Sequence, residues 1–182
     1  MILNNNIYIL TKIIMNKIVE KALNEQINAE MYSAYLYLSM AAYFDGNGLS
    51  GFAHWMKMQA QEEMVHAFKI YDYVYERDGI VVFDKIDSPS ADFASALDIF
   101  EKALKHEKHV TSLINALYEL SSKEKDYALQ SFLKWFIDEQ VEEEASASGI
   151  VDRLRIAGGK GPGLYMLNRE LMGRGTEGEK EE

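Results

Sequence analysis

From Lys17 to Phe44 the chain contains no glycine or proline, and its apolar residues recur at alternating steps of three and four, a pattern that a long helix turns to one face. Residues 45–48, DGNG, stop it. The same period returns from about Leu49 to Arg77, from about Phe93 to Leu120 and from about Tyr127 to Ala157. Ser90 or Asp92 offers a cap for the third stretch, and residues 121–126, SSKEKD, form a short turn before the fourth. Residues 157–163, AGGKGPG, read as a helix break, with a short fifth helix predicted at about Leu164–Met172.

Stretches of this length are roughly 42–46 Å long at about 1.5 Å per residue, a dimension that suits a bundle. Short turns after the first and third helices force antiparallel hairpins, whereas the fifteen residues 78–92 can run the length of a bundle as a crossover. The predicted fold is therefore all-α: a four-helix bundle with one long crossover connection and a short fifth C-terminal helix, in one domain over residues 15–173. The leader, residues 1–14, is too short to span a bilayer and lacks a basic segment and a cleavage site. It is predicted to be an extension outside the fold, and Met15 opens the cleaner helical pattern. Residues 174–182 read as a charged, disordered tail.

Writing out the buried seam exposes a conflict with ordinary core chemistry. The first helix gives Leu23, Ile27, Glu30, Ala34, Tyr37, Ala41 and Phe44; the second gives Phe52, Met56, Gln59, Glu63, His66, Ile70 and Tyr73. The third gives Leu97, Phe100, Leu104, Glu107, Thr111, Ile114 and Tyr118; the fourth gives Leu129, Leu133, Phe136, Gln140, Glu143, Ala147, Ile150 and Leu154. Each seam breaks to a polar ligand type near its middle. Glu30 lies sixteen residues before Gly46 and Glu63 fifteen after Gly48, and Glu107 and Gln140 each lie fourteen from the ends of the other turn, so antiparallel pairing brings all four level.

An unpaired buried carboxylate costs several kcal/mol, and several together repel one another and take up protons. No lysine or arginine occupies the seams, which leaves a multivalent cation as the compensating charge. Glu63 and His66, three residues apart, present both side chains from one helix face. Because the chain has no cysteine, thiolate zinc sites, iron–sulfur clusters and disulfides are excluded, and any metal must be held by oxygen and nitrogen. Oxygen-rich ligation with one imidazole suits iron or manganese better than zinc. The net charge of −10 argues against nucleic acid and anionic membrane as partners and is compatible with cations. Glu62, Glu139 and Glu142 lie one position off the seams, where a solvated helix face and a place beside the cluster are equally open.

The segments LNEQINAEMYS at 23–33, AQEEMVHAF at 60–68, LKHEKHVT at 104–111 and FIDEQVEEE at 136–144 closely resemble the bacterial non-haem ferritins, in order on all four helices. The likeness spans essentially Met15 to Met172. It implies a di-iron ferroxidase centre in which Glu30, Glu63 and His66 bind one iron and Glu63, Glu107 and Glu143 the second. Gln140 would lie beside the pair, Tyr37 and Trp135 near it, and Glu62, Glu139, Glu142 and Glu143 would form a third iron site. The implied activity is oxidation of Fe(II) by O2 or H2O2, with storage of the ferric product inside a cytoplasmic homo-oligomeric shell of 24 subunits, whose four-fold axes the fifth helix would surround.

Two relatives are weighed against this. In bacterioferritins the fourth helix carries a second Glu-x-x-His, and a methionine at the position of Met64 binds haem; here the fourth helix has Gln140-x-x-Glu143, so no haem is expected and Met64 is read as a packing residue. A di-iron oxidase or peroxidase without storage would need an organic-substrate pocket. Elsewhere, His106 and His109 stand three apart rather than the four of a zinc-protease motif and are predicted to be a surface pair, and His54 is predicted to be structural.

Overall fold

The computed structural model describes residues 15–174. Among them it contains five helices: α1 (Lys17–Gly46), α2 (Ser50–Glu76), α3 (Ala96–Lys123), α4 (Tyr127–Ala157) and α5 (Gly161–Leu171). α1 pairs with α2 and α3 with α4 as antiparallel hairpins, α1 also packs on α3, and α5 lies across α2 and α4. None of the described helices is long and apolar enough to cross a membrane. The expectations for residues 1–14 and for the tail from residue 175 onward fall outside the described residues.

The crossover from Arg77 to Ser95 runs along α1, held by polar side chains that α1 turns toward it. Ile80 N–H donates to Glu20 (3.2 Å), Asn24 exchanges hydrogen bonds with Val82 N–H (2.8 Å) and Ile80 C=O (3.0 Å), Asn28 donates to Lys85 C=O (3.3 Å), and Ser39 donates to Ser90 C=O (2.8 Å). The connection thus follows α1 from Glu20 to Ser39. Arg77, closing α2, holds Asp126 with two nitrogens (3.1 and 3.0 Å), and Asp126 also caps α4 through Leu129 N–H (3.0 Å). One carboxylate therefore joins the end of one helix to the start of another.

The seams predicted for α1, α2 and α4 are buried throughout, but that of α3 is rotated. Phe100, Glu107 and Ile114 point inward as predicted, together with Ala96, Ala103, Val110 and Leu117, while Leu97, Leu104 and Thr111 are half-buried and Tyr118 is exposed. A three-four alternation through Phe100, Glu107 and Ile114 can be completed on either side, and the set without a hydroxyl takes the inner side. The cap of α3 is Ser95 rather than Ser90 or Asp92: its hydroxyl accepts from Asp98 N–H (3.1 Å), and Asp98 in turn accepts from Ala94 N–H (3.0 Å). α5 starts at Gly161, inside the predicted break, because Pro162 in the first turn gives up no helical hydrogen bond and already has helical φ.

The apolar core is divided in two by the polar layer. One part, around Phe44, Phe52, Trp55 and Phe100, lies toward the α1–α2 turn and α5; the other, around Leu23, Ile70, Ile114 and Leu133, lies toward the opposite end. α5 belongs to the first part through Leu167 and Leu171. It approaches α2 so closely that a Cβ on Gly51 would lie 1.6 Å from the Asn168 carbonyl oxygen. Leu49, at the N-cap position of α2, gives no side-chain cap; the Asn168 amide oxygen supplies it instead, accepting from Gly51 N–H (2.9 Å) and Phe52 N–H (3.2 Å).

Candidate metal centre

The polar layer is built by residues one or two turns apart on four helices: Gln26, Glu30 and Tyr37 on α1, Gln59, Glu62, Glu63 and His66 on α2, Glu107 on α3, and Gln140 and Glu143 on α4. All of them are buried. Glu30, Glu63 and His66 each present a ligand atom within 4.8 Å of the others. Glu63 Oε2 lies 3.6 Å from His66 Nδ1.

The hydrogen bonds divide these acids into two kinds. Glu30 Oε1 accepts from Gln26 (2.8 Å), Glu107 accepts from the Tyr37 hydroxyl and from Gln140 (3.4 Å), and Glu143 Oε2 accepts from Gln59 (2.6 Å). Glu30 Oε2 and Glu63 Oε2, in contrast, are buried with no hydrogen-bond partner. A buried oxygen left unpaired costs about 1–3 kcal/mol, more when charged, so these two atoms are the ones best suited to hold a cation.

Burial dominates the electrostatics. It pushes Glu30 up to about 7, with the Gln26 amide partly opposing it. Glu63 rises well above the usual carboxylate range through burial, then through the charges of Glu107, Glu30 and Glu143. Burial raises Glu107 as well, against the hydroxyl of Tyr37, and lifts Glu143 to about 8 with help from Glu107 and Glu62. Burial, and secondarily Lys69, drives His66 down to about 4, which keeps the imidazole neutral. Trp135 packs edge-on at 5.4 Å from the His66 ring, Phe136 lies at 5.9 Å, and Lys69 sits over Trp135 at 4.1 Å. Neutral imidazole with carboxyls ready to exchange protons for metal is the form a cation needs.

Glu107 and Glu143 are engaged by Tyr37, Gln140 and Gln59, and stand beside the trio of Glu30, Glu63 and His66 rather than within it. Glu62 is buried, so the solvated-face alternative fails for it. Glu139 is half-buried, Glu142 exposed and Met64 half-buried. His106 is not part of a surface pair: it is half-buried, with Nε2 2.8 Å from Ser33 Oγ and its ring against Tyr32 and Tyr37, and burial holds it near 4; only His109 is exposed. His54 bonds Arg174 C=O through Nε2 (2.8 Å), a structural contact as predicted.

Contacts that the seam pattern did not foresee complete the layer. Gln26 and Gln59 hold carboxylates, and Thr111 links Gln140 (3.2 Å) to Glu144 (2.6 Å). Arg174, placed by the sequence at the start of a disordered tail, instead reaches Glu62 and Gln59 (2.8 Å) and lies 4.5 Å over the Trp55 ring. Nothing local announces it, since these partners stand more than a hundred residues earlier.

Comparison with known proteins gives one consistent result. The family model described as "Ferritin-like domain" matches residues 20–157. A bacterial non-heme ferritin of Bacteroides fragilis (strain 638R) is 50% identical over 153 residues, covering 84% of this chain and 95% of its own. A bacterial non-heme ferritin of Staphylococcus saprophyticus is 44% identical over 160 residues, 88% of this chain and 96% of its own. Among solved structures, an open pore ferritin from the archaeon Archaeoglobus fulgidus superposes with a TM-score of 0.87 at 48% identity, over 88% of this chain and 98% of that one.

Proposed function

Because the chain belongs to the ferritin-like domain family, in its non-haem ferritin branch, we propose that it stores iron in the cytoplasm, oxidising Fe(II) to Fe(III) at the four-helix layer and holding the product as a ferric mineral within a homo-oligomeric shell, 24 subunits by family likeness. The observation that carries this reading is the buried trio Glu30, Glu63 and His66, whose ligand atoms lie within 4.8 Å while Glu30 Oε2 and Glu63 Oε2 have no hydrogen-bond partner. Two Fe(II) ions are the substrate. Glu30 and His66 serve one, Glu107 and Glu143 the other, and Glu63 bridges them, a role supported by the charges of Glu107, Glu30 and Glu143 that act on its carboxyl.

The protein's own groups account for binding and proton balance. Metal entry displaces the protons that burial keeps on the carboxyls. Each pair of Fe(II) ions gives up two electrons, which with two protons reduce O2 to H2O2 or H2O2 to two waters. Carboxylates, as hard ligands, favour the ferric product. Tyr37 steadies Glu107, and Trp135 and Phe136 orient His66. Glu62, Glu139, Glu142 and Glu143 form the exit route and third iron site. Haem plays no part in this scheme: Met64 packs.

The test is anaerobic loading of metal-free protein with Fe(II), admission of O2, and measurement of particle size and retained iron. Storage requires far more iron per subunit than the two or three ions its sites hold. Retention limited to that number would leave a di-iron oxidase without storage.

A further inference from the structure

We propose that Arg174 is the resident cation of a carboxylate slot formed by Glu62 and Glu143 beside the paired centre, and that a metal ion entering the slot must first displace its guanidinium. The proposal rests on the functional reading above for the neighbouring pair, but separate contacts carry it. One guanidinium nitrogen pairs with Glu62 and the other donates to Gln59 Oε1 (2.8 Å), while Gln59 Nε2 donates to Glu143 Oε2 (2.6 Å). The Gln59 amide is fixed in orientation by accepting at one end and donating at the other. Arginine thereby reaches both acids, Glu62 directly and Glu143 through one buried relay.

Its anchorage is equally specific. The guanidinium lies 4.5 Å over the Trp55 ring, and His54 Nε2 donates to the Arg174 carbonyl (2.8 Å), since a carbonyl can only accept. Trp55, Gln59 and Glu62 follow one another along α2 at steps of four and three, so one face of α2 receives the guanidinium, while His54 beside it holds the backbone carbonyl. The chain arrives there directly from α5, which is itself fixed to α2 through Asn168 and Gly51.

Such a cation differs from a proton in what removes it. A guanidinium stays charged at any ordinary pH, so only a competing cation or motion of the segment vacates the slot. A divalent ion entering it gains Glu62 and Glu143 but must break a charge-assisted contact and free Gln59 Oε1, which is buried and would need a new partner. The slot therefore fills after the pair, and only with ions of sufficient charge. Arg174 sets the order of occupancy rather than taking part in electron transfer.

The experiment is calorimetric titration of the metal-free, assembled protein with Zn(II), alongside Trp fluorescence, for the parent chain, Arg174→Gln and Arg174→Lys. Arg174→Gln should leave the two tight equivalents per subunit unchanged and tighten a weaker third about tenfold, the worth of one charge-assisted contact. Arg174→Lys should fall between. In the parent, Trp fluorescence should change at the third equivalent as the guanidinium leaves Trp55, and Arg174→Gln should lack that change. A third equivalent that is absent, unaltered or weaker in Arg174→Gln overturns the proposal, the last outcome making Arg174 a support for Glu62. Failure of the functional reading looks different: the two tight equivalents would be missing from the parent or would survive Glu63→Gln, while the Arg174-dependent step is still measured separately.

Discussion

Raising the pH from 6.5 to 8 should weaken the metal-free protein by about 2 kcal/mol. Glu143 and Glu30, ordinarily near 4.5, are held up to about 8 and about 7 in the fold, mainly by burial. In an unfolded chain both are ionised by pH 6.5, whereas the folded protein still holds protons on them. The folded state then binds more protons, and stability falls as pH rises, by about 1.4 kcal/mol per pH unit for each proton of difference. The contribution is fully present below about 4.5 and lost as pH climbs through 7 and 8. His66 and His106 act in the opposite sense, being held near 4 against an ordinary 6.5, so their contribution grows between those values and, because an unfolded imidazole is still half protonated at 6.5, adds about 0.4 kcal/mol each above it. The interval from 6.5 to 8 is therefore dominated by the carboxyls, and integrating across it for Glu30 and Glu143 assigns about two thirds of their joint loss to Glu143. Guanidinium chloride unfolding of chelator-treated protein at the two pH values measures it. Glu143→Gln should abolish the larger part, which separates the site from repulsion over the whole acidic surface, and Zn(II) should reverse the trend because metal binds the deprotonated ligands. Equal stability at both pH values, or a loss that Glu143→Gln leaves intact, would refute the reasoning.

Glu63→Ala should abolish fast Fe(II) oxidation in stopped-flow measurements while leaving assembly intact, because it removes the bridging ligand together with an acid whose burial is uncompensated. Glu142→Ala should slow repeated additions of iron more than the first two-iron oxidation, and change unfolding by less than about 0.5 kcal/mol, since Glu142 is exposed. Gly51→Ala should lower stability by about 1–3 kcal/mol, because its Cβ would meet the Asn168 carbonyl at 1.6 Å; an unchanged melting temperature would show that α5 shifts at no cost.

Most of the bundle could be read because the information is periodic and local. Acids that interrupt an apolar seam at matching distances from two turns state both the pairing of the helices and the height of the site, and Glu30, Glu63, His66, Glu107, Gln140 and Glu143 are all buried where that pattern puts them. The rotation of α3 was not legible, since Ala103 and Leu104 both continue a regular alternation and the neighbouring helices decide between them. Arg174 was not legible for a different reason: glycine and charge on either side resemble a tail, and its partners are 112 to 120 residues away in sequence. Glu62 depended on the same contact, because spacing alone does not distinguish a solvated acid from one carrying a guanidinium.

The cap that Asn168 places on α2 also imposes a timetable on synthesis. The first hairpin leaves the ribosome with the opening amides of α2 still bound to water, and their acceptor is translated more than a hundred residues later. Nascent chains that stop short of α5 therefore carry a frayed α2 start and a guanidinium slot without its guanidinium. Capping of the second helix is thus a late event, completed only when the last described helix has been made.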